Sequence, residues 1–159
     1  KLILTSPTFS VDNCLPVEQL NKVYNAVDIG INTCIGEGWG LVNTEHAATG
    51  VAQLVPDHTS LKEIFYGVDR MAIESWEVDC NYGLDRGQPS PMEMASILNG
   101  YYYDRKALEA AGAWCWERMH EEQFTWPFVQ KQMLDIVERT LSAHKEEEPE
   151  SFSRTVRID

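Results

Sequence analysis

The sequence predicts an α/β protein built on a parallel sheet, with a helical segment towards its C-terminal end. Three observations carry this. Short apolar runs of strand character alternate with segments of helical periodicity, glycine and proline punctuate the joins, and the last third shows helix signals alone. A chain of 159 residues has the length of one domain. Its 43% hydrophobic and 24% charged residues are the composition of a globular chain with a core, so disorder throughout is excluded.

The elements follow in order. The chain begins at Lys1 without a start methionine and passes at once into the apolar run Leu2-Ile3-Leu4-Thr5, which reads as a fragment of something longer. After a loop with Pro7, residues 16–27 predict a helix, because Leu20, Val23, Tyr24 and Val27 share a face and Pro16 suits a first helical position. Residues 29–34 then predict a short buried strand. The glycine-rich turn Gly36-Glu37-Gly38-Trp39-Gly40 leads into a helix over 41–49, with Gly50 where a left-handed residue closes it. Residues 51–55 form the next strand, stopped by Pro56. Ser60 and Glu63 make a capping box for a short helix ending near Phe65. Met71-Ala72-Ile73 is a further strand, and residues 74–88 read as irregular loop. Ser90, Pro91 and Glu93 open a helix that stops at Gly100. Asp104 starts another through Leu108, Ala111, Trp114, Cys115 and Met119, and Thr125-Trp126-Pro127 starts the last, with Phe128, Met133, Ile136, Val137 and Leu141 as its apolar positions. Residues 1–144 are thus one folded domain, and the acidic run in 145–159 is a solvated, flexible tail.

Thirteen basic against twenty-five acidic side chains leave a net charge of −12, which repels polyphosphate and excludes a basic-groove nucleic-acid binder. A single phosphorylated small molecule held by backbone amides remains compatible. With no apolar run of spanning length and no signal-peptide pattern, a soluble cytoplasmic protein is expected. Cys14, Cys34, Cys80 and Cys115 form no C-x-x-C pair and read as free thiols. His46, His58, His120 and His144 show no H-x-x-x-H spacing, so no metal site is expected.

Chemistry concentrates in residues 28–56, where strand, glycine-rich turn, helix, glycine and strand follow one another. Without Cβ atoms at Gly38 and Gly40, the turn can bring its N–H groups against a ligand, and the helix from Leu41 points its free amides the same way. A diphosphate would be stabilised there. Neither a Walker loop nor a dinucleotide fingerprint is present. Glu37 lies before the helix, and Glu45 lies about 7.5 Å along it from Gly40 at 1.5 Å per residue. Each carboxylate suits a vicinal diol, so the pair can take a sugar at one end of a ligand and a ribose at the other.

Glu37-Gly38-Trp39-Gly40-Leu41, with Glu45, Ala47 and Gly50 and the strand behind them, resembles the E-x7-E signature of retaining GT-B glycosyltransferases, most closely family four. Leu20, Tyr24 and Asp28 resemble the family's L-x-x-x-Y-x-x-A-D stretch, with Val27 in the alanine position, and Phe124-Thr125-Trp126 resembles its F-[ST]-W. The likeness spans residues 15–141. It implies a Rossmann-like three-layer domain, the donor-binding C-terminal half of a GT-B fold, whose helical C-terminal segment leans on the other half. That N-terminal, acceptor-binding domain is not in this chain, nor is the family's Arg and Lys pair that clasps the diphosphate. Residues 66–91 also lack the usual G-x-x-G-L-L-V strand.

The activity implied is hexose transfer, with retention, from a nucleotide diphosphate sugar to a hydroxyl acceptor. Glu37 would be catalytic, holding the transferred sugar. Gly38, Trp39, Gly40, Leu41 and Val42 would bind donor sugar and diphosphate, and Glu45 the ribose. No metal or other cofactor is implied, nucleic acid is not a partner, and any membrane association belongs to the acceptor half. A nucleotide-sugar epimerase or hydrolase, and a nucleotide-sugar-binding module without catalysis, are the alternatives.

Several residues have plainer readings. Trp39 reads as a packing residue that fixes the turn, with its amide the useful group. His46 should point about 100° away from Glu45 on the helix, which favours a structural or surface role. Asp57 and His58 follow a strand end, where α/β sheets place ligands, but Pro-Asp also makes an ordinary turn. Tyr101-Tyr102-Tyr103 reads as core, and residues 14–17 fall near where the family grips its nucleobase with main-chain atoms.

Overall fold

Pro16 precedes the first helix of the computed structural model, which describes residues 14–147. The apolar run 2–5, Pro7 and the part of the expected tail from 148 to 159 lie outside the described residues. Helix α1 (Val17–Tyr24) leads to strand β1 (Ile29–Ile31), helix α2 (Leu41–Ala47), strand β2 (Ala52–Pro56), helix α3 (Thr59–Ile64) and strand β3 (Arg70–Met71). These strands form a parallel sheet in the order β1-β2-β3, with Ile29 opposite Ala52, Ile31 opposite Leu54 and Val55 opposite Arg70. The expected α/β alternation with a parallel sheet is therefore present.

All five residues of β2 are buried, as a central strand covered on both faces requires. Leu54, Val55, Leu61, Phe65 and Met71 are fully enclosed around it. Gly50 ends the connection from α2 with φ +85°, the left-handed conformation expected of it. Asp57 then returns its N–H to the Met71 carbonyl at 2.8 Å, which holds β3 beside β2.

Residues 74–88 are not the expected irregular loop. Strands β4 (Ile73–Asp79) and β5 (Leu84–Pro89) form an antiparallel hairpin, with Trp76 opposite Gly87 and Glu77 opposite Arg86. Strand β4 is exposed on both faces, Trp76 and Val78 included, so no buried face imposes a period-two pattern on the sequence. The turn is built by Asp79, whose carboxylate accepts from Asn81 N–H at 3.0 Å and whose carbonyl accepts from Tyr82 and Gly83, with Gly83 at φ +64°.

Helix α4 (Pro91–Tyr103) has the expected cap, since Ser90 Oγ accepts from Glu93 N–H at 3.4 Å. It runs through Gly100 instead of stopping there, and ends where Asp104 caps helix α5 (Arg105–Met119) by accepting from Ala107 N–H. Glu93 does not close a capping box. Its carboxylate accepts from Ala72 N–H, and the Ser90 N–H donates to the Ala72 carbonyl at 2.8 Å. Helix α5 lies against β2 so closely that a Cβ on Gly112 would stand 2.5 Å from the Gly50 carbonyl oxygen. Ala52, Tyr101 and Leu108 form the cluster between sheet and helices. Of the three consecutive tyrosines expected in the core, only Tyr101 is buried.

The chain divides into two compact units, with the break between His120 and Glu121. Among its described residues the second holds one 3-10 turn (Glu122–Phe124) and helix α6 (Trp126–Glu147). Residues 145–147, read as the start of the tail, are helical.

Candidate functional site

The glycine-rich turn is held open by polar side chains at the end of β1. Asn32 continues the ladder with its N–H to the Leu54 carbonyl (3.0 Å), then accepts the Cys34 N–H on its side chain (2.7 Å), which ends the strand. Its amide donates to Asn43 Oδ1 at 2.6 Å, and Asn43 donates to Gln53 Oε1 at 3.0 Å. Gln53, buried in β2, donates in turn to the Val51 and Ala52 carbonyls. A buried amide left without partners costs about 1–3 kcal/mol, so this satisfied relay fixes β1, α2 and β2 in one register.

Glu37 is anchored through its backbone. Its N–H donates to Thr59 Oγ1 (3.3 Å), and its carbonyl accepts from Ser60 Oγ (3.0 Å). Ser60 is therefore not the cap expected of it, because α3 begins one residue earlier and His58 takes the flanking position. Thr59 sits at φ +48°, a strained conformation for a β-branched residue, and its hydroxyl also meets His58 Nδ1 at 2.9 Å. The Glu37 carboxylate accepts the N–H of Gly38 at 3.1 Å.

Gly40 has φ +86° and ψ +55°, and a Cβ there would stand 2.6 Å from Leu61 Cδ2. Glycine is required on both counts. Gly38 differs, since a Cβ there would meet nothing within 4 Å. Its lack of a side chain is not what shapes the turn. The first intrahelical bond of α2 runs from Thr44 N–H to the Gly40 carbonyl, so the amides of Leu41, Val42 and Asn43 precede the ladder.

A cavity of about 360 Å³ opens here, lined by Asn32, Glu37, Trp39, Gly40, Leu41, Val42 and Asn43. Five of the residues singled out from the sequence are thus brought together; Gly38 and Glu45 are not among its lining. Trp39, 45% exposed, lines the cavity. Asn32 and Asn43 were missed, and their signal was two amides at the ends of apolar elements. Glu45 stands exposed further along α2, where its carboxylate accepts from the Tyr24 hydroxyl at 3.1 Å. Burial and that contact raise the Tyr24 pKa.

Of the structural and surface roles expected for His46, the structure shows the structural one, with the ring buried. Its ring stacks on Tyr24 at 4.8 Å and donates from Nε2 to the Tyr24 carbonyl at 3.0 Å, while burial lowers its pKa. Asp57 and His58 also serve the fold. Asp57 accepts from Arg70 Nε at 2.6 Å, which holds its pKa below the usual carboxylate range, and His58 Nε2 donates to the Cys34 carbonyl.

A larger cavity, about 760 Å³, lies between the α3–β3 loop and α5, lined among others by Asp57, Asp69, Arg70, Glu93, Tyr101 and Trp114. Its polar groups are already engaged: Asp57 with Arg70 and Lys62, Glu93 with Ala72, and Asp69 with Tyr101, whose pKa burial and Asp69 push up to about 12. In the smaller cavity, among the described residues, the Glu37 carboxylate is held only by the neighbouring Gly38 N–H, and the amides at the start of α2 lie outside the helix ladder. Among the described residues no cluster of three metal-ligating side chains occurs, and no helix is long and apolar enough to cross a membrane. A scan against protein-family models returns no match, and neither does a search of curated proteins.

Proposed function

We propose that this chain is the donor-binding part of a retaining glycosyltransferase and takes a nucleotide diphosphate sugar at the Glu37–Gly40 turn. The observation that carries the reading is the cavity, which collects Glu37, Trp39, Gly40, Leu41 and Val42 around one opening. Main-chain amides at the start of α2 meet the diphosphate, Glu37 accepts from hydroxyls of the transferred hexose, and Glu45 accepts from the ribose diol. In the reaction, the bond from the anomeric carbon to the diphosphate oxygen breaks as an acceptor hydroxyl bonds to the same face. The nucleoside diphosphate leaves, and its freed phosphate oxygen, on the same face, takes up the acceptor's proton.

The division of labour between the glutamates is testable. By calorimetry with UDP, GDP and their glucose conjugates, Glu37→Ala should weaken the sugar nucleotide but leave the free diphosphate unchanged. Glu45→Ala should weaken both by about 1.5–3 kcal/mol, and 2′-deoxy nucleotides should bind the variant as well as the parent compounds do. Loss of free diphosphate binding in Glu37→Ala would reject the assignment.

A further inference from the structure

The β4–β5 hairpin carries a cation to the glycine-rich turn. Gly87 donates its N–H to the Ile35 carbonyl at 3.0 Å, and a Cβ on Gly87 would stand 2.9 Å from His58 Cδ2, so β5 lies directly against the segment after β1. At the preceding residue, the guanidinium of Arg86 reaches Gly36, where a Cβ would be 3.3 Å from Nη1. Asp79, at the far end of β4, accepts from Nε at 3.0 Å and from Nη2 at 2.9 Å. Two nitrogens of the planar fork are thereby fixed. Nη1 is the one turned to Gly36, no acceptor takes it among the described residues, and the side chain keeps 30% of its surface exposed. Three other cations of this unit are engaged elsewhere: Lys62 and Arg70 hold Asp57, and Arg105 holds Asp28.

We propose that Arg86 is a phosphate-binding residue of this site, donating from Nη1 to the diphosphate of the nucleotide ligand. The inference rests on the nucleotide-sugar reading and adds a permanent charge to a site whose other diphosphate donors are amides. An arginine held by a carboxylate is pre-oriented, so little side-chain freedom remains to be lost when an anion arrives.

The experiment is calorimetry of UDP and GDP with the full 159-residue chain, as wild type, Arg86→Gln and Arg86→Lys, over a range of sodium chloride concentrations. Arg86→Gln should bind the diphosphates about tenfold to a hundredfold more weakly, and its affinity should fall less steeply with salt. Arg86→Lys should restore the salt slope. Unchanged affinity in Arg86→Gln overturns the proposal, and so does a weakened affinity with the wild-type salt slope, which would mean that Arg86 only braces the hairpin. Absence of UDP and GDP binding to the wild type would instead remove the nucleotide reading itself.

Discussion

Gly40 and Gly38 stand two residues apart in one turn, yet the structure separates them. An alanine at 40 must adopt a left-handed conformation and displace Leu61, a fully buried core residue, so Gly40→Ala should cost about 1–2 kcal/mol for the backbone and further for the repacking. Gly38→Ala meets open space and should melt close to wild type. Thermal unfolding of the two variants compares them, and equal melting temperatures would refute the distinction. His46 makes a pH prediction. Its folded pKa is lowered, so its contribution is complete above the unfolded value of 6.5 and declines as pH falls from there towards the folded value, while the unfolded chain takes a proton that the folded chain refuses. Urea unfolding at pH 7.5 and 5.5 should show a stability drop that His46→Gln lacks. The same pH dependence in both proteins would contradict the burial of a neutral ring.

Elements with a strong period were legible in the sequence, and the hairpin was not. Helices α4 and α5 announced themselves through Ser90, Pro91 and Asp104, whose capping roles are local and need no tertiary information. Strands β1 and β2 were legible as apolar runs near glycines; β2 is buried on both faces as a central parallel strand is, whereas β1, expected to be buried over 29–34, is three residues long and leaves Ile31 exposed at the sheet edge. Among the described residues strands β4 and β5 pair only with each other, and they carry Glu74, Glu77, Asp85 and Arg86, so their signal lies in the partner strand and the Asp79 turn. The docking of α5 was also illegible, since nothing local shows that Gly112 meets a backbone carbonyl. Helix propensity alone favours Gly112→Ala by about 1 kcal/mol. The structure predicts the opposite sign, because a Cβ 2.5 Å from the Gly50 oxygen must push α5 off β2. Denaturant unfolding of that variant decides between them, and a stabilised Gly112→Ala would mean that α5 does not seat there.

For the whole molecule, the net charge of −12 makes any anion site depend on local donors, and the site proposed here draws them from the amides at the start of α2 and from Arg86. Much of that candidate site was legible because Glu37, Trp39, Gly40, Leu41 and Val42 fall within residues 37–42; Asn43 comes next but shows its part only through its bonds to Asn32 and Gln53, and Asn32 and Arg86 come from elsewhere and needed the fold. Holding a donor is only part of transfer, since positioning two reactants supplies roughly 7–11 kcal/mol at most of a barrier. The 159-residue chain, to which the proposed reading assigns no acceptor site, should therefore bind sugar nucleotide without transferring the sugar, and mass spectrometry with a panel of sugar acceptors would detect transfer. The central claim is that the Glu37–Gly40 turn receives a nucleoside diphosphate. Titration of the isotopically labelled chain with UDP and GDP, followed by amide NMR, tests it most directly. Saturable shifts concentrated at residues 36–45 and at Arg86 are predicted, whereas no saturable shift, or shifts confined to the Asp57–Trp114 cavity, would contradict it.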